Sequence, residues 1–252
     1  MERTRSFPRR GPSIVAASLF LIAGVACRSG TIAAPQAGSH AVVFHASDGT
    51  RLEGRVFGSG SFGVVLSHMF PGDQRSWWPF AGTLADDGYR VLTFDFRGYC
   101  PGGDAGCSGG SKDISKISRD VVAAATYLRG AGATKVVLIG ASMGGTASLV
   151  AAAQPEVGPS AIVTLSAPLS FEGLTIDPTT LQNVEAPKLF IAGTGDATAA
   201  QAAQQLYDQA LGSRRVEIVP ANDHGTDLLT GTRGEEVQKL ITTYLAQFRN
   251  DA

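Results

Sequence analysis

One stretch constrains this chain more than any other: Val136-Val137-Leu138-Ile139-Gly140-Ala141-Ser142-Met143-Gly144-Gly145. Its short apolar run reads as a fully buried strand. The run ends in Gly-x-Ser-x-Gly, and an Ala-rich helical stretch follows from Thr146 to Ala153. The order is therefore strand, sharp turn, helix, with a serine at the apex. A turn this tight strains the serine backbone and needs glycine at positions 140 and 144, where side chains would collide. The serine hydroxyl then stands above the sheet edge, and the N–H groups of the new helix aim at the same spot. Backbone donors placed there can hold a negative oxygen.

The rest of the chain repeats strand and helix signals around this unit. Strand-like runs occur at 41–45, 52–57, 63–68, 90–95, 161–166, 188–193 and 216–219, and helical spacing at 76–87, 113–129, 198–211 and 235–248. The first two strands flank Ser47-Asp48-Gly49-Thr50 and read as an antiparallel hairpin at a sheet edge. Strands alternating with helices predict an α/β fold, a mostly parallel doubly wound sheet of about eight strands covered on both faces. In such folds the site lies beyond the strand C-termini.

Length and charge narrow the class. The chain has 252 residues, 17% charged and 44% hydrophobic, enough for one α/β domain with a substantial core. A net charge of −1 and no basic stripe argue against nucleic acid as a partner. The N-terminus has its own character. Arg3, Arg5, Arg9 and Arg10 precede an apolar run from Ile14 to Ala26, which has signal-peptide length and is short for a membrane span. Residues 1–26 are expected to be a signal peptide, 27–39 a flexible tether and 40–252 the folded domain. Ala23-Gly24-Val25-Ala26-Cys27 resembles a lipoprotein signal with Cys27 as the lipidated residue, although ordinary secretion or a retained anchor would also suit it. All three readings export the domain to the cell envelope, the periplasm or the exterior, with membrane contact only through the N-terminus. Cys100 and Cys107 remain, close together in a Gly-rich loop, and in an oxidising compartment they are expected to form a local disulfide.

A serine hydroxyl needs a base, and the base needs an orienting acid. Of His40, His45, His68 and His224, only His224 follows Ser142, in a loop just past the last strand. Asp196 follows the strand 188–193 and is the expected acid; Asp223 is its competitor, but a residue adjacent to the histidine rarely points its carboxylate at that ring.

The order Ser142, Asp196, His224 with an elbow serine resembles the α/β-hydrolase superfamily. Phe94-Asp95-Phe96-Arg97-Gly98 is similar to that family's Asp-x-Arg-Gly segment, and Asp223-His224-Gly225 to its His-Gly end. Leu66-Ser67-His68-Met69-Phe70 occupies the place of its oxyanion loop, with Met69 where glycine is usual. The Cys100 to Cys107 insertion is a second departure. The resemblance implies a catalytic triad of Ser142, His224 and Asp196, and an oxyanion hole from the backbone N–H groups of Phe70 and Met143. His68 would shape the loop. No metal or cofactor is implied. Only about 20 residues separate Pro168 from Pro187, where lidded members insert a cap, so an open site with a minimal cap is expected. Trp77, Trp78, Phe80, Tyr99 and Phe171 would either wall it or pack in the core. The implied activity is carboxylic ester hydrolysis of small-molecule substrates, as in carboxylesterases or dienelactone-hydrolase-like proteins. An amidase or peptidase on the same triad, or a silent binding protein on the scaffold, are the alternatives.

Overall fold

A computed structural model describes residues 38–100 and 106–249. The expected signal peptide, most of the expected tether and Cys27 lie outside the described residues. Eight strands form one sheet: β1 (His40–His45), β2 (Arg51–Phe57), β3 (Phe62–Ser67), β4 (Arg90–Asp95), β5 (Lys135–Ala141), β6 (Ala161–Leu165), β9 (Lys188–Gly193) and β10 (Arg214–Val219). Their spatial order is β1-β2-β4-β3-β5-β6-β9-β10. β2 runs antiparallel to both β1 and β4, and every other pairing is parallel. The expected edge hairpin is thus β1–β2, with His40 paired to Val56 and His45 to Arg51.

The central strands are apolar on both faces because helices cover both. Along β5, Val136 and Leu138 pack on one side, and Val137 and Ile139 on the other. The first side is covered by α2 (Ile117–Gly130), α3 (Met143–Ala152) and α5 (Ala197–Gln209), through residues such as Val121, Leu149 and Leu206. The second is covered by α1 (Trp78–Asp86) and α6 (Gly234–Arg249), through Leu84, Val237 and Ile241. Short 3₁₀ turns precede α1 and α2, which is why their helical spacing reads longer than the helices themselves. Trp77, Trp78 and Phe80 belong to this second core, and Tyr99 to the first. None of the four walls the site; indoles and rings of this size are placed where they bury most apolar surface.

The connection between β6 and β9, residues 166–187, holds two small elements that periodicity cannot reveal. They are a hairpin, β7 (Ser170–Phe171) with β8 (Leu174–Thr175), and α4 (Pro178–Gln182), N-capped by Asp177. Among the described residues no helix is long and apolar enough to cross a membrane.

The segment after β4 is fixed by charge. Arg97 is buried, and its guanidinium binds the fully buried Asp120 of α2 through Nε and Nη2, while Nη1 reaches Asp48 at 2.7 Å. The Arg97 backbone N–H also donates to Asp120, at 3.0 Å. This arrangement pins the β4 exit to α2 and to the β1–β2 turn. Removing Asp120 leaves the buried Arg97 with the partly exposed Asp48 alone and strips its Nε and backbone N–H of their partner, so Asp120→Ala is expected to lower unfolding free energy by about 3 kcal/mol in a denaturant titration.

Candidate active site

The elbow has the geometry its glycines permit. Ser142 sits between β5 and α3 at φ 48° and ψ −120°, a strained conformation for a residue with a side chain. A Cβ on Gly140 would collide with the Gly144 carbonyl, and one on Gly144 with the carbonyls of Ser67 and His68. A Cβ on Gly145 would stand 2.7 Å from that of Ala167. Glycine at these positions therefore lets the chain fold back on itself. It also lets the loop after β3 rest directly on the start of α3.

Asp196 and His224 come together as expected. His224 Nδ1 lies 2.5 Å from Asp196 Oδ2. The other carboxylate oxygen, Oδ1, accepts from the Ala199 N–H at 3.2 Å, so Asp196 is also the N-cap of α5. An anion is favoured at a helix N-terminus, and both its oxygens are committed. Asp223 is not the partner: its carboxylate lies beside Gly231. The two loops are joined by the sheet itself. Thr194 N–H donates to Val219 O and Gly195 N–H to Ala221 O, extending the β9–β10 ladder past the strand ends.

Ser142, Asp196 and His224 line one cavity of about 320 Å³, together with Phe70 and Phe171. Ser142 is 8% exposed, and the His224 side chain 44%. Among the described residues, Ser142 Oγ and His224 share no hydrogen bond; this link commonly tightens only when substrate is bound. Ser166 was not singled out in the sequence. It follows β6 directly, at φ 55°, lines the same cavity, and its Oγ accepts from the Gly225 N–H at 3.1 Å. It thereby anchors the residue next to His224. A lone serine past a strand carries no signal in a single sequence.

His68 shapes the loop before Phe70. Phe96 N–H donates to its Nε2 at 3.2 Å, so the proton sits on Nδ1, which donates to the Met69 carbonyl at 2.9 Å. Its ring lies 4.7 Å from that of Tyr99 and 4.8 Å from that of Phe96. Tyr99 in turn donates its hydroxyl to the Met143 sulfur at 3.7 Å. Cys100, next in the chain, is disulfide-bonded to Cys107 with Cα atoms 4.8 Å apart, as expected. His40 and His45 lie on the edge strand β1, away from this cavity. Phe70 and Met143, the expected oxyanion donors, flank the cavity mouth and follow Ser142, respectively. Among the described residues no group of three or more His, Cys, Asp or Glu side chains is placed to hold a metal ion.

Comparisons with known proteins agree with this architecture. Residues 64–186 match the family model described as the alpha/beta hydrolase fold. The esterase Pf2001 of Pyrococcus furiosus superposes with a TM-score of 0.70 at 18% identity, covering 83% of this chain and 90% of that one. A thermophilic esterase from Thermogutta terrifontis, with malate bound, gives 0.68 at 18% identity over 84% of this chain and 100% of its own. A dienelactone hydrolase from Anabaena variabilis gives 0.67 at 23% identity over 84% and 98%. No curated protein sequence matches the chain. The fold is that of the α/β hydrolases.

Burial drives the His68 imidazole down from 6.5 to about 4, so the folded protein holds it neutral while the unfolded chain protonates it. Its contribution to stability is present above pH 6.5 and lost as pH falls through about 4. His68→Asn is therefore expected to flatten the pH dependence of unfolding free energy across that window. Denaturant titrations of both proteins at several pH values measure the slope.

Proposed function

We propose that the protein is a serine hydrolase that cleaves carboxylic esters through an acyl-enzyme. The observation that carries the reading is one cavity shared by a strained elbow serine and a hydrogen-bonded Asp–His pair. Esterases among the solved structures of the same fold are consistent with it.

The chemistry follows from the tautomer. An ionised Asp196 only accepts, so a neutral His224 facing it carries its proton on Nδ1 and leaves the Nε2 lone pair free. Ser142 Oγ attacks the ester carbonyl carbon as its proton passes to Nε2. The carbonyl electron pair moves onto oxygen, and the Phe70 and Met143 N–H groups hold that oxyanion. The intermediate collapses, the C–O bond to the alcohol breaks, and the leaving oxygen takes the proton from Nε2. Water then repeats the sequence on the acyl-serine and releases the acid. Asp196 stabilises the transient imidazolium and keeps the ring oriented. Each oxyanion donor is worth about 3 kcal/mol in such a reaction.

Export belongs to the same reading. Residues 1–26 act as the signal peptide, and Cys27 carries lipid that tethers the domain to the envelope. The Cys100–Cys107 bond suits an oxidising compartment.

A fluorophosphonate probe is expected to label the wild-type protein and leave Ser142→Ala unlabelled. Labelling that survives the substitution assigns the nucleophile elsewhere. With nitrophenyl esters, Asp196→Asn is expected to lower kcat by about 10³–10⁴-fold, since the amide favours the wrong imidazole tautomer. Matched anilides, hydrolysed as fast as the esters, would turn the reading to an amidase.

A further inference from the structure

We infer that the cavity beside Ser142 receives an uncharged apolar arm of the substrate, and that Ala199 and Ala202 of α5 set the length of that arm. The inference rests on the ester-cleaving reading and names the substrate class for that site.

The lining argues for it directly. Beyond the three proposed catalytic side chains, the walls are Phe70, Pro168, Phe171, Ala199 and Ala202, with hydroxyls from Ser166 and Thr198. Among the described residues no lysine or arginine lines the cavity. The polar groups within it are largely spoken for. Ser166 Oγ receives the Gly225 N–H, and the Asp196 oxygens serve Ala199 and His224. A substrate carboxylate drawn into this space would lose its water, find no cation, and face the charge of Asp196. Burying such a charge unpaired is strongly unfavourable.

Size follows from the same walls. A volume of about 320 Å³ lies at the small end of the range for small-molecule sites, about 300–1,000 Å³. Ala199 and Ala202 are three apart on α5 and both buried, so they present one face to the cavity. Both side chains are single methyl groups, and any larger residue there would occupy the space an acyl or alkyl chain needs. The Phe70 and Phe171 rings, also in the lining, meet with centroids 5.7 Å apart. Phe70 is 43% exposed, which places this pair at the entrance rather than in the core. The β7–β8 hairpin thus contributes one aromatic side chain to the mouth, in place of a cap.

The test compares nitrophenyl butyrate with the anionic nitrophenyl hemisuccinate, and a chain-length series of both acyl and alkyl esters. Wild-type protein is expected to prefer butyrate by about 10²-fold in kcat/KM. Ala202→Leu is expected to lower the hexanoate-to-acetate selectivity by about 10–200-fold, the worth of displaced methylenes in an apolar pocket. Ala202→Arg is expected to raise the hemisuccinate-to-butyrate ratio. Equal turnover of the neutral and anionic esters, or an Ala202→Leu chain-length profile that superimposes on wild type, overturns the inference.

Equilibrium binding separates this result from the fate of the esterase reading. Ser142→Ala protein titrated calorimetrically with 2-octanone and with octanoate is expected to bind the ketone and reject the acid. Ketone binding without ester turnover by the wild type keeps the apolar site and discards the proposed chemistry. Octanoate bound as tightly as the ketone, or no ketone binding at all, overturns the site whatever the turnover data show.

Discussion

A row of main-chain hydrogen bonds crosses the rim of the sheet, and the site depends on it. Ser142 N–H donates to Leu165 O, Ser166 N–H to Ile191 O, and Thr194 N–H to Val219 O. These bonds continue the parallel ladders of β5, β6, β9 and β10 by one residue beyond the strands. The residues that follow or end the strands are those that matter: the serine after β5, the loop of Asp196 after β9, the loop of His224 after β10. Their spacing is thus inherited from inter-strand distance. Loops that wandered independently could not hold a 2.5 Å contact between Asp196 and His224.

Behind this row the buried polar groups are arranged to hold the neighbouring loops still. His68 is kept neutral and bridges the Phe96 N–H to the Met69 carbonyl. Asp95 accepts from both the backbone and the side-chain amide of Gln74, and burial pushes its carboxyl up to about 7. Arg97 binds Asp120 and Asp48. Each group ties the exit of β3 or β4 to a neighbouring element. A buried polar group with satisfied partners costs little and is expensive to disturb, which gives these loops one arrangement instead of several.

Much of this was legible in the residues. Strands β3, β4, β5, β6 and β9 carry apolar runs that two-sided burial makes continuous, whereas the edge strands β1 and β10 are largely exposed and read from their turn signals and position. The Gly-x-Ser-x-Gly elbow announced itself because glycine is the only residue that fits beside another backbone. The pairing of His224 with Asp196 over Asp223 is legible from the strand end before Asp196 and from the adjacency that keeps the Asp223 carboxylate off the ring. Other parts were silent. β7 and β8 are two residues each, too short for any period to register. Ser166 works through one hydroxyl and a left-handed backbone, neither of which composition encodes. Trp77, Trp78 and Phe80 could belong to a site wall or a core on sequence grounds, and only packing against α6 and the sheet decides for the core.

Asp196 begins the helix whose side forms the cavity wall. One carboxylate therefore answers to two masters, the imidazole and the first turn of α5. A mutation that reshapes the wall by tilting that helix would also turn the acid that steadies the ring. The shape of the cavity and the orientation of the Asp196–His224 pair are then mechanically coupled. Remodelling α5 would therefore disturb that pair, whereas remodelling the β7–β8 hairpin would reshape the cavity at Phe171 and leave the pair in place.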